Sequence, residues 1–151
     1  MLLLLFTIGD ERYGIEAVRV IEVWPLLPLK PIHRTPDYIA GIANCRKQLV
    51  PVIDISKLYI NRAVFNRIST RIILIKVKGA HGDEHLVGLM AECVTDTVNV
   101  DCSSIASISV KSEEGGVIGE ELLINDQLIQ KINVDELLST ELYSQIFCHD
   151  N

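Results

Sequence analysis

A mostly β fold, barrel or sandwich, is what this sequence of 151 residues predicts. Composition is the first reason. Apolar residues make up 48% but aromatics only 5%, so the core must be built from Ile, Val and Leu, whose branched members favour sheet. Spacing is the second, since about eight to ten short apolar runs alternate with turn residues. The third is that helical periodicity is convincing only near the C-terminus. Charged residues at 23% are an ordinary globular share, and the length suits one compact domain over 1–151 with room for two sub-barrels, whose boundary the sequence does not mark.

Taken in order, Leu2 to Ile8, a turn at Gly9-Asp10, and Tyr13-Gly14-Ile15 read as a β-hairpin. Glu16 to Trp24 continues as strand, with Val18, Val20 and Glu22 on one face at period two. A carboxylate in that apolar series needs a partner. Pro25, Pro28 and Pro31 make an extended connector. Thr35-Pro36-Asp37 has the signature of a short helix ending at Gly41. Arg71 to Val77 is the most continuous apolar run and predicts an interior strand, with Leu86 to Met90 pairing back on it. Val94, Val98 and Val100 keep β-like spacing, and Glu113 to Gly116 is a loop. Val117 to Ile124 and Leu128 to Ile132 flank a turn at Asn125-Asp126. Leu138, Leu142 and Ile146 recur every four residues, predicting a C-terminal helix capped by Asp135.

The stretch from Gly41 to Leu58 carries the most information. Gly41-Ile42-Ala43 leads into a polar tip of Asn44, Cys45, Arg46, Lys47 and Gln48, and Leu49 to Ile53 leads out, which reads as a hairpin. Pro51 has no N–H to give a ladder, so the second strand should be an edge or carry a bulge. Asp54 ends the run, with about one helical turn behind it. An edge strand beside a fixed cation suits docking onto another protein better than it suits chemistry.

Catalytic constellations are sparse. A net charge of −6 argues against tracking a phosphate backbone or an anionic lipid surface, so neither nucleic acid nor membrane is an expected partner. Cys45, Cys93, Cys102 and Cys148 are scattered without a C-x-x-C pair, as expected of reduced thiols in the cytoplasm. The opening Met1 to Phe6 lacks the basic region of a signal peptide, and no run approaches the ~18 apolar residues of a membrane span. His81, Asp83, Glu84 and His85 are all metal-ligating types, and a metal-dependent enzyme using His81, Asp83 and His85 is the competing reading. The order is not H-E-x-x-H, and the segment is most simply a hairpin tip. No nucleophile elbow or phosphate-binding glycine loop occurs, so a non-enzyme with no cofactor is expected.

Several of these stretches together resemble the CheW-like domain, the adaptor module of chemotaxis-type signalling. They are Tyr13-Gly14-Ile15, Val20-Ile21-Glu22-Val23, the proline connector, and Pro36-Asp37-Tyr38-Ile39-Ala40-Gly41. The most specific is Ile42-Ala43-Asn44-Cys45-Arg46 followed by Val50-Pro51-Val52-Ile53-Asp54-Ile55, and Val87-Gly88-Leu89 and Leu128 to Leu138 complete the set. The resemblance implies two small SH3-like five-stranded β-barrels on a shared core. It implies a cytoplasmic, non-catalytic adaptor at receptor arrays of the inner membrane, contacting the regulatory domain of a CheA-type histidine kinase and the cytoplasmic tip of a methyl-accepting chemoreceptor. An array filler without kinase activation fits the same resemblance. Asn44 and Arg46 match the family's receptor-facing tip, Glu22 matches the acid expected to pair with this arginine, and Lys47, Gln48 and Pro51 complete the expected protein-binding surface. The sequence departs from the family at Lys47, where glycine usually follows the arginine, and at Ala91-Glu92 in place of Val-Asp. Lysine would be strained there if the turn needs positive φ.

Overall fold

The computed structural model describes residues 1–63, 69–78, 82–101, 106–111 and 117–137. The predicted loop at 113–116 and the helical repeat of Leu138, Leu142 and Ile146 lie outside them. Ten strands run β1 (Leu2–Ile8), β2 (Glu11–Glu16), β3 (Val20–Pro25), β4 (Ile39–Cys45), β5 (Gln48–Asp54), β6 (Arg71–Lys78), β7 (Glu84–Asn99), β8 (Ser107–Lys111), β9 (Val117–Ile124) and β10 (Gln127–Ile132). One α-helix, α1 (Ile55–Ile60), follows β5.

β7 is the element shared by two halves. Its first part pairs antiparallel with β6 and parallel with β5, and its second part pairs antiparallel with β1. The first half is β3-β6-β7-β5-β4, and the second continues β1-β2-β10-β9-β8. What reads in sequence as separate strands, Leu86 to Met90 and Val94 to Val100, is therefore one strand of 16 residues. Cys93 takes positive φ (+53°) between its two parts, where the β1–β7 register also shifts. Neither half closes by backbone pairing among the described residues: β3 pairs only with β6, and β8 only with β9. Among the described residues the ten strands form one hydrogen-bonded sheet folded into two halves, mostly β as expected, without the closed pairing of two barrels.

Three apolar clusters explain why the strand runs are so continuous. Ile72 and Leu74 of β6 pack with Trp24, Val50 and Val52 inside the first half. The alternate residues Ile73 and Ile75 pack with Phe6, Ile15, Ile53 and Leu89 between the halves. Both faces of β6 are covered, so alternation disappears from its sequence. Leu3, Leu5, Leu122 and Ile129 fill the second half. Gly88 is required where β5, β6 and β7 meet, because a Cβ there would stand 2.7 Å from Ile72 Cγ2.

Three local expectations are corrected. The run from Glu16 to Trp24 is interrupted by a 3-10 turn at Ala17–Arg19, so Val18 does not share a strand with Glu22. Pro36 starts a single turn closed by Ile39 N–H to Pro36 O, not a helix. The Tyr38 carbonyl accepts instead from Asp54 N–H at 2.7 Å, which commits the chain to sheet two residues after the proline. At the C-terminal end Val134–Glu136 is a 3-10 turn, and its cap is Asn133, whose side chain accepts from Asp135 N–H; Asp135 itself binds Arg19. The turn behind Asp54 forms as expected, with the Asp54 carboxylate accepting from Ser56 and Lys57 N–H.

Candidate functional site

The hairpin of β4 and β5 ends at the pair Cys45–Gln48, leaving a loop of two residues, Arg46 and Lys47. Both have positive φ, +54° and +67°, the signature of the type I′ turn that matches strand twist. The polar tip is therefore tighter than the five residues its sequence suggests, since Asn44 pairs with Leu49 within the strands. Asn-Gly is the pair this turn favours, and a lysine with its Cβ in the left-handed region costs roughly 1–2 kcal/mol. The strain implied by the missing glycine is real.

Arg46 Nη2 donates to Glu22 Oε1 at 2.8 Å, joining two elements that share no ladder. Glu22 reaches it from β3, opposite Leu74 and just past a bulge after Val20. The Glu22 carboxyl is held below the usual carboxylate range, first by the Trp24 indole N–H and then by the Arg46 guanidinium. Trp24 Nε1 itself is buried outside hydrogen-bonding geometry, so its influence is that of a nearby N–H dipole. The Arg46 side chain is 76% exposed and the Glu22 side chain 45%, so most of the guanidinium still faces outward. The carboxylate orients the cation and leaves donors for a partner.

Pro51 and Gln48 lie beside the tip on β5. The edge character expected from Pro51 holds for this end of the strand, because β5 pairs with β7 only from Val52 onward. Between the strands there, beside Pro51 and His85, is a groove of about 490 Å3. Leu49 lines it and was not singled out in sequence, although alternation with buried Val50 and Val52 places it on the opposite face.

Only part of the histidine cluster falls among the described residues. His85 Nε2 and Asp83 Oδ2 stand 3.0 Å apart, His81 lies outside the described residues, and no group of three potential ligands gathers among the described ones. Three ion pairs escaped the sequence reading, two of them joining residues more than a hundred positions apart and the third lying across the β9–β10 hairpin. Arg19 holds Asp135 through two hydrogen bonds of 2.7 and 3.1 Å, and Lys131 contacts Glu16 at 3.0 Å and Glu120 at 3.4 Å.

The folded sheet and the cation presented on a strained hairpin agree with what comparison with known proteins shows of the chain's family. The CheW-like domain model matches residues 2–142, and the chain belongs to that family. It is 27% identical over 146 residues to the chemotaxis protein CheW of Klebsiella aerogenes, covering 91% of this chain and 81% of that one. It is 28% identical over 141 residues to protein FrzA of Myxococcus xanthus, covering 89% and 83%. The crystal structure of the scaffolding protein TtCheW from Thermoanaerobacter tengcongensis shares the fold, with a TM-score of 0.75, 24% identity, and coverage of 91% and 87%. No described helix is long and apolar enough to cross a membrane.

Proposed function

We propose that this chain is a non-catalytic adaptor that couples chemoreceptors to a CheA-type histidine kinase, working in the cytoplasm at receptor arrays on the inner membrane. Its surface for the chemoreceptor's cytoplasmic tip is Glu22, Asn44, Arg46, Lys47, Gln48 and Pro51. The observation that carries this reading is the 2.8 Å Glu22–Arg46 contact, which fixes a largely exposed guanidinium at a hairpin tip. Membership of the CheW-like family supports the adaptor role, and the names of its relatives tie that role to chemotaxis. Interfaces draw their energy from few residues, with arginine prominent among them, so one oriented guanidinium can dominate the contact. The two halves, each with its own apolar cluster, are the natural units for two separate contacts.

The test is capture of the purified chain by the regulatory domain of the cognate kinase and by the receptor's cytoplasmic hairpin. Binding at about tens of micromolar or tighter is expected, the range of transient signalling contacts. Failure to bind either at that concentration contradicts the proposal.

A further inference from the structure

Glu22 and Trp24 stand two apart on β3, opposite Leu74 and Ile72 of β6. Both side chains therefore lie on the face of the first half's apolar cluster. The Trp24 side chain is 5% exposed and packs with Ala43, Val50, Val52, Ile72 and Leu74. Its Nε1 is buried and has no hydrogen-bond partner. A ring held in that way cannot turn its N–H to water, and a buried donor left unsatisfied is costly.

The acceptor beside it is the Glu22 carboxylate. The indole N–H lowers the Glu22 pKa more than the Arg46 guanidinium does, so the two side chains are close. Glu22 Oε1 is nevertheless bonded outward, accepting from Arg46 Nη2 at 2.8 Å. One carboxylate thus stands between two donors and completes its hydrogen bond to the outer one.

A competing anion would move it. A guanidinium at a hairpin tip presents donors matched to the two oxygens of another carboxylate. Two carboxylates on one guanidinium repel each other, and an exposed pair such as Glu22–Arg46 contributes little to resist the exchange. A partner that covers the tip also excludes water, which strengthens a hydrogen bond from the indole to the carboxylate. Both effects drive Glu22 inward.

We propose that Trp24 is a positioning residue for the contact at Arg46: when a partner's carboxylate takes the guanidinium, Glu22 passes to the Trp24 indole N–H. The hand-over satisfies the buried donor and frees the guanidinium for both oxygens of the incoming carboxylate. It deepens the adaptor reading above and rests on that reading for its partner, whereas the two positions of Glu22 are a property of this chain alone. Trp24 does not touch the partner and acts through Glu22.

Trp24 is the only tryptophan in the sequence, so its indole N–H gives a single resonance in the isotopically labelled full chain. Arg46→Ala removes the outer donor with no partner present. The indole proton should then move downfield and exchange with solvent about tenfold more slowly. Adding Glu22→Ala to that variant should cancel both the shift and the slowing. Titration of the parent chain with the chemoreceptor's cytoplasmic tip should move the resonance in the same direction, and further. An indole signal unmoved by Arg46→Ala, moved equally when Glu22 is also replaced, or unmoved by a receptor tip that binds, would overturn the proposal. A receptor tip that does not bind contradicts the adaptor reading instead, and the two variants still decide the hand-over.

Discussion

The molecule makes the same turn twice with different residues. At Asn125-Asp126, between β9 and β10, both residues have positive φ, +50° and +63°. At Arg46-Lys47 the values are +54° and +67°. Asn and Asp tolerate the left-handed region because their short polar side chains bond to nearby backbone, whereas Arg and Lys gain nothing there. The first turn is what the backbone wants. The second is held against local preference, and the guanidinium it displays is clasped by a carboxylate from another strand. Strain at one of two matched positions points to what that position presents.

Exchanging the tips breaks the comparison most directly. Asn125-Asp126→Arg-Lys should destabilise by roughly 1–2 kcal/mol, and Arg46-Lys47→Asn-Asp should stabilise by a similar amount while abolishing receptor binding. Denaturant melts and binding titrations on the two variants check this. Lys47→Gly should recover about 1 kcal/mol, raising Tm by about 2–4 °C, and leave Arg46 in place. No gain would mean that the lysine is not strained.

A smaller effect is expected in acid. Folding lowers the pKa of Glu22, through Trp24 and Arg46, and of Asp135, through Arg19. The stability each confers is present above the ordinary carboxylate range, about pH 4, and is lost as pH falls through the depressed folded-state values. Melts recorded between pH 6 and 2 on Glu22→Gln should therefore show a shallower acid loss than the parent, with the two curves converging at the acid end. An unchanged slope would show that the carboxylate gains nothing from its partners.

Much of the fold was legible because its signals are local. Alternation, turn residues and the Asp54 cap gave strands and one helix where they stand. Pro36 misled because a carbonyl two residues on was already claimed by Asp54 N–H, a contact no local pattern reveals. Asp135 looked like a cap but answers to Arg19, 116 positions away, and Asn133 took the capping role. The candidate site was legible at Glu22 and Arg46 only through family resemblance, since nothing in the spacing of 24 residues dictates their contact. The groove was not legible at all, because it arises where two parallel strands part, and parting leaves no mark in either strand's alternation.

Arg46→Glu, measured against the chemoreceptor's cytoplasmic tip beside Asp126→Lys as a control, tests the central claim most directly. The account predicts receptor binding weakened about tenfold or more by the first change and untouched by the second, with the Arg46→Glu melt within about 2 °C of the parent and the Asp126→Lys melt lowered by about 2–4 °C through the strain of lysine at positive φ. Receptor affinity unchanged by Arg46→Glu, or a melt that collapses with it, would contradict the claim that this guanidinium is there for a partner.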